Sequence, residues 1–190
     1  MIYYVNASAK DGNGTLEAPF SRIQSAADVA RPGDEVVVFP GVYREAVNPI
    51  HGGTPDARIT YRAYENGTAI ITGAERVTGW EPIGNGVWRT FVPNSLFTDR
   101  NPFTTLVSGD WFIATFIAHT GDVYLNGKSL YEVTDLEDVL HPVPSTTSWD
   151  PDFSIYTWYT EQDEAGDRTI LTANFHKFDP NAENVEISVR

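Results

Sequence analysis

The sequence predicts an all-β protein in two parts. Residues 1–74 read as an N-terminal capping helix with the first rungs of a right-handed parallel β-helix, and residues 75–190 as an antiparallel β-sandwich. Three observations carry this. Val36-Val37-Val38-Phe39 is an unbroken apolar run closed by Pro40-Gly41, and a strand that does not alternate is buried on both faces. A similar pair of short runs returns some twenty-odd residues later, a period that marks stacked rungs. Past Gly73 the runs are joined by Asn-Gly dipeptides, which favour the two-residue turns of antiparallel hairpins.

The first part opens with a strand over Ile2–Val5 and a turn-rich stretch over Ala9–Pro19. Asp11-Gly12-Asn13-Gly14 resembles the start of a calcium loop, but the later acidic positions and the closing glutamate are missing, so it reads as a turn. Ile23, Ala26, Ala27 and Ala30 fall at i, i+3, i+4 and i+7 and define a narrow apolar helix face. Ser21 is its expected N-cap and Pro32-Gly33 its stop. Val36–Val38 is echoed by Ile59-Thr60-Tyr61, 23 residues on, and Val42–Val47 by Ala69–Thr72 at an offset of about 25. Each unit is two short strands about a tight turn, Pro40-Gly41 and then Asn66-Gly67. An antiparallel meander is the plain alternative. Interior side chains of successive rungs cover such strands, and the alanine-faced helix closes the open end against edge pairing.

In the second part Asn85-Gly86 and Asn126-Gly127 each separate two strand-like runs. Ile155–Thr160 and Arg168–Phe175 pair about a loop ending in Gly166-Asp167, and Phe112–Ile117 and Val185–Val189 bring the count to about eight strands. Hairpins at this spacing predict a sandwich. A short helix is expected at residues 134–137, where Thr134 and Glu137 form a capping box.

Composition narrows the function classes. Apolar residues make up 41% and aromatics 13% of 190 residues, enough for a real core. A net charge of −13 repels phosphate backbones and anionic lipid, which disfavours nucleic acid and membrane as partners. The chain has no cysteine, so disulfides and thiolate metal sites are excluded, and a reducing, cytoplasmic setting is expected. The N-terminus shows neither a basic nor an apolar leader region. His51, His119, His141 and His176 lack ligand spacing, and no phosphate-binding, dinucleotide or serine-nucleophile motif occurs. No cofactor is expected.

The segment Gly14–Glu45 resembles the entry segment shared by many parallel β-helix carbohydrate-active enzymes. More specific are "NGVWRT", "PNSLF", Gly109-Asp110-Trp111, Gly121–Asp138 and Thr172–Arg190, which resemble the N-terminal portion of glycoside hydrolase family 120 β-xylosidases. The resemblance runs through essentially the whole chain. It implies a parallel β-helix interrupted, after its first rungs, by an immunoglobulin-like sandwich. It also implies a retaining glycosidase whose Asp nucleophile and Glu acid/base lie on later rungs. No position here corresponds to either, so no catalytic residue is assigned. Only two rungs are legible before "NVEISVR", whereas solenoids need about three; the missing C-terminal rungs are thus expected partners, with a xylo-oligosaccharide or related neutral sugar as ligand. A homo-oligomer stays open.

Retaining hydrolysis needs two carboxylates about 5–5.5 Å apart, and 26 acidic residues allow many such pairs on paper. Asp110, Asp122, Glu132, Asp135, Glu137 and Asp138 read first as solvated or capping groups. Among the tryptophans, Trp80, Trp88 and Trp158 alternate within strands and read as core, while Trp149 lies in a Pro-rich loop. Trp111 is the candidate platform for a sugar ring, because an indole face packs on the C–H face of a pyranose. His119 and Asp122, which flank "HTGD", are the candidate polar partners. Two rival readings remain: a carbohydrate-binding or assembly module without catalysis, and a fragment of a β-helix polysaccharide lyase.

Overall fold

A computed structural model describes residues 1–111 and 117–190. Two compact units make up the chain, Met1–Gly73 and Ala74–Arg190. The predicted strand Phe112–Ile117 lies almost wholly outside the described residues. Among those described, no helix is long and apolar enough to cross a membrane.

The first unit contains β1 (Ile2–Val5), α1 (Ile23–Val29), β2 (Glu35–Val38), β3 (Gly41–Arg44), β4 (Thr60–Ala63) and β5 (Ala69–Thr72). The ladders between these strands are all parallel: β1-β2-β4 form one sheet and β3-β5 another. The stack is a parallel β-solenoid, as predicted, with two corrections. β1 is itself a rung, pairing Tyr3 with Val36, so the first sheet has three layers where the apolar repeat showed two. The register also differs, since Val36 pairs with Tyr61 and Val42 with Ile70, offsets of 25 and 28 residues. The repeat drifts because the segments between rungs differ in length, and pairing follows the hydrogen-bond ladder rather than residue type.

Val36 and Val38 face a core built with Val5, Ile23, Ala26, Ala30 and Tyr43. Val37, on the opposite side of the pleat, is also buried, flanked in the ladder by Tyr4 and Arg62. That accounts for the unbroken apolar run. Helix α1 is capped otherwise than expected. Its N-cap is Arg22, without a side-chain hydrogen bond, while the Ser21 hydroxyl and amide both donate to Asp11 Oδ1. The first helical amides, Ile23 and Gln24, donate to the two oxygens of Glu45.

The second unit contains β6 (Ala74–Arg76), β7 (Glu81–Gly84), β8 (Val87–Pro93), β9 (Val123–Leu125), β10 (Lys128–Ser129), β11 (Tyr131–Glu132), α2 (Leu136–Leu140), β12 (Thr157–Gln162), β13 (Arg168–Asn174) and β14 (Val185–Ser188). Two sheets, ordered β10-β9-β14-β6 and β11-β12-β13-β8-β7, enclose one core of Trp80, Phe103, Val123, Trp158, Leu171, Phe175 and Ile187 among others. Asn85 and Asn126 adopt φ of 54° and 53°, followed by Gly86 and Gly127 at 80° each, the positive angles that a two-residue hairpin turn requires. The N-cap of α2 is Asp135, whose side chain accepts from the Glu137 amide at 3.0 Å. This places the cap one residue after Thr134 and replaces the predicted capping box.

Candidate functional site

The site is built on the loop between β8 and β9. Asn101 anchors it: its Nδ2 donates to Thr169 Oγ1 at 2.7 Å and to Asn94 Oδ1 at 3.1 Å, and its Oδ1 accepts from the Phe103 amide at 2.9 Å. Its carbonyl accepts from the hydroxyls of Thr104 and Thr105. One asparagine thereby ties the loop to β13, and Phe103 drops into the core against Trp158, ring edge to ring face at 5.5 Å. Gly121 is required beneath that ring, because a Cβ there would lie 2.8 Å from Phe103 Cδ1.

Beyond this anchor, residues 105–107 and 118–120 form the two arms of a short antiparallel ladder. Val107 N–H donates to the Ala118 carbonyl and Thr120 N–H to the Thr105 carbonyl, each at 2.8 Å, about the bridge Leu106–His119. Glu132 of β11 clamps the returning arm. Its Oε2 accepts from the His119 amide at 2.9 Å, and its Oε1 lies 2.5 Å from His119 Nδ1. A charge-assisted pair of this kind is stronger than a neutral hydrogen bond.

Trp111 sits past the first arm and is 74% exposed. Gly109 makes its position accessible: φ is 143°, and a Cβ there would lie 2.7 Å from Trp111 Nε1. Any larger residue would displace the indole. Beside the clamp lies a cavity of about 90 Å³ lined by Ile117, His119, Glu132, Thr134, Tyr159 and Thr160 among others. The Thr160 hydroxyl there is buried and has no hydrogen-bond partner among the described residues, an unmet demand that a polar guest could satisfy.

Asp122 does other work. Its Oδ1 accepts from the Val123 amide at 2.8 Å and its Oδ2 from Ser129 Oγ at 2.5 Å, joining the start of β9 to β10. Burial raises its carboxyl above the ordinary carboxylate value, against these hydrogen bonds, which lower it. Thus the three residues singled out from sequence fall into different surroundings: Trp111 exposed, His119 clamped on Glu132, and Asp122 holding a strand pair. Glu132 had read as a solvated or capping acid, and the Asn101 anchor and Thr160 had no local signal at all. Among the described residues no cluster of three or more histidines and carboxylates could hold a metal ion. The arrangement offers an aromatic platform and polar groups, a geometry suited to binding.

A parallel β-solenoid unit followed in sequence by a β-sandwich unit, antiparallel except where β11 pairs with β12 in parallel, defines the architecture. Residues 77–187 match the family model described as glycoside hydrolase 120, insertion domain, and the chain belongs to glycoside hydrolase family 120. The whole chain aligns with the structure titled "The complex structure of XylC with xylose" at a TM-score of 0.92 and 43% identity, covering 32% of that chain. It is 38% identical over 129 residues to the uncharacterized protein YwoF of Bacillus subtilis (strain 168), covering 66% of this chain and 26% of that protein. Pectate lyase PEL9 of Emericella nidulans is 36% identical over 76 residues, 39% of this chain and 18% of the lyase. The chain therefore spans about a third of the length of the XylC structure and about a quarter or less of these curated relatives.

Proposed function

We propose that this chain is the non-catalytic N-terminal part of a retaining β-xylosidase that acts on xylo-oligosaccharides in the cytoplasm. The observation that carries the reading is 43% identity and a TM-score of 0.92 along the full chain to XylC in complex with xylose, together with an exposed Trp111 held on a clamped ladder. In this role Trp111 packs its indole on a xylose ring, where the ring's C–H groups meet the aromatic face. His119 positions that platform through Glu132 and borders the small cavity, and Asp122 fixes the strand that follows. The two carboxylates of the double displacement come from rungs beyond this chain. The acid/base carboxyl protonates the glycosidic oxygen as its bond to the anomeric carbon breaks and the second carboxylate bonds to that carbon. Water, giving its proton to the first carboxylate, then displaces the second and releases the sugar with its configuration retained.

The test uses an aryl β-xyloside. The purified 190-residue chain should release no phenol above an empty-vector preparation, while the chain extended by its further rungs should release β-xylose first, as read by NMR of the anomeric proton. Turnover by the chain alone, or α-xylose as the first product of the extended protein, would overturn the reading.

A further inference from the structure

A second cleft lies on the sandwich unit, with a volume of about 500 Å³ and a lining that shares no residue with the Trp111 ladder or its cavity. That volume lies in the range typical of small-molecule sites, roughly 300–1,000 Å³. Its floor is aromatic. Phe153 and Tyr156 stack with ring centroids 4.5 Å apart and planes 14° from parallel, and the His176 ring meets Tyr156 edge-on at 5.9 Å. Lys128 lies 3.8 Å from the Phe153 centroid and is ion-paired with Asp150, so its ammonium is fixed at the rim.

The walls are fixed too. Ser154 Oγ accepts from the Ser145 amide at 2.7 Å and donates to the Pro151 carbonyl at 2.6 Å, which braces the loop that carries Asp150 and Asp152. His176 adopts φ of 53°, a left-handed conformation that is strained for a residue with a β-carbon and costs glycine little. It is held there by its amide's bond to Asn174 Oδ1 at 2.9 Å, and by close approach of Gly86, where a Cβ would lie 2.4 Å from the His176 carbonyl oxygen. A histidine kept where glycine would be relaxed points to use of the imidazole. Lys177 and Asp152 also line the cleft and form no ion pair among the described residues.

The geometry points to a second ligand site here, for a short neutral oligosaccharide. Two ammonium and two carboxylate groups balance, although the chain as a whole carries −13. Balanced charge gives no field to select an anion, whereas vicinal hydroxyls can donate to Asp152 and accept from Lys177 together. The choice of xylose units as the sugar rests on the function proposed above; the cleft and its donor set do not.

The experiment is an amide NMR titration of the 190-residue chain with xylotriose, and separately with trigalacturonate. Saturable shifts at Lys128, Asp152, His176 and Lys177 with xylotriose are expected. The double substitution Asp152→Ala, Lys177→Ala should weaken that response by about tenfold while the rest of the spectrum is preserved. Saturation by trigalacturonate alone, or silence of these amides with both sugars, overturns the site. Amides beside Trp111 report the other site independently: their silence with a responding cleft counts against the sugar platform and leaves the cleft standing.

Discussion

Glu45 closes the N-terminus of α1 from 21 and 22 residues away in sequence: its two carboxylate oxygens accept from Gln24 and Ile23 amides at 2.9 and 2.8 Å. It is the buried acidic side chain of the solenoid unit, with the guanidinium of Arg22 3.7 Å from it. Helix N-termini leave unpaired amides and a partial positive charge, and a carboxylate answers both. Glu45→Ala should cost about 1–3 kcal/mol, the penalty for stranding buried donors. Glu45→Gln, which keeps one acceptor, should cost less. Equal urea midpoints for wild type and the alanine variant would remove Glu45 from the account of solenoid stability.

Trp111 and Trp158 should behave oppositely. Trp158 is fully buried in the sandwich core, so Trp158→Ala should destabilise by about 3–5 kcal/mol. Trp111 is mostly exposed, and Trp111→Ala should shift stability by less than about 1 kcal/mol. In a protein extended by the further rungs it should lower kcat/KM with folding retained. Chemical denaturation of this chain and xyloside kinetics of the longer protein give the two readings. A large loss of stability for Trp111→Ala would make the indole structural.

Asp122 predicts a pH dependence of definite sign. Burial raises its folded value above the ordinary 3.8, so between the two values the folded chain holds the proton more tightly than the unfolded chain. Stability from this group is fullest below the unfolded value and falls as pH rises through the folded one. Asn at this position can still accept from Val123 and can donate to Ser129, without a charge to desolvate. Asp122→Asn should therefore gain stability relative to wild type by a fraction of a kcal/mol as pH climbs from about 3.8 toward neutrality. Asp163 works in the opposite sense: hydrogen bonds from Arg168 lower its value, so its contribution is present above the unfolded value and lost on acidification. If the Asp122→Asn difference were flat across pH, burial would not be what shifts this carboxyl.

Hydrogen exchange should separate β5 from the sandwich centre. Ile70 and Ile71 of β5 are 54% and 58% exposed, and β5 pairs only with β3 among the described strands. β13 is hydrogen-bonded on both sides, by β12 and β8. Amides of β5 should exchange faster than those of β13, since protection follows burial and pairing. Equal protection would mean that the last rung is covered by something more than its β3 partner.

Glu132→Ala should release the ladder behind Trp111. It leaves the His119 amide without its acceptor, and amides Val107 and Thr120 should lose protection while β13 keeps it. An unchanged exchange rate at Val107 would show that the clamp does not hold the ladder.

Local patterns by themselves determined the class of each half of this protein. The apolar run Val36–Val38 demanded burial on both faces, and Asn85-Gly86 and Asn126-Gly127 each carried the positive backbone angles of a tight turn within two residues. The motifs around Trp111 and Gly121–Asp138 pointed to the family, because they persist as contiguous segments. Only the tertiary structure decided the rest. Rung register depends on the lengths of intervening segments, so Val42 meets Ile70 instead of the residue that periodicity suggested. Ser21 looked like a cap because capping preferences are local, yet Glu45, just past the end of β3, outcompetes it by presenting two acceptors at once. Glu132 looked like one more surface acid until folding set it against His119, and Asn101 gave no sign of joining β13 to the site loop. Interactions within a few residues are written in the chain's own spacing. Those between distant segments exist only once the backbone has brought their partners within hydrogen-bond reach.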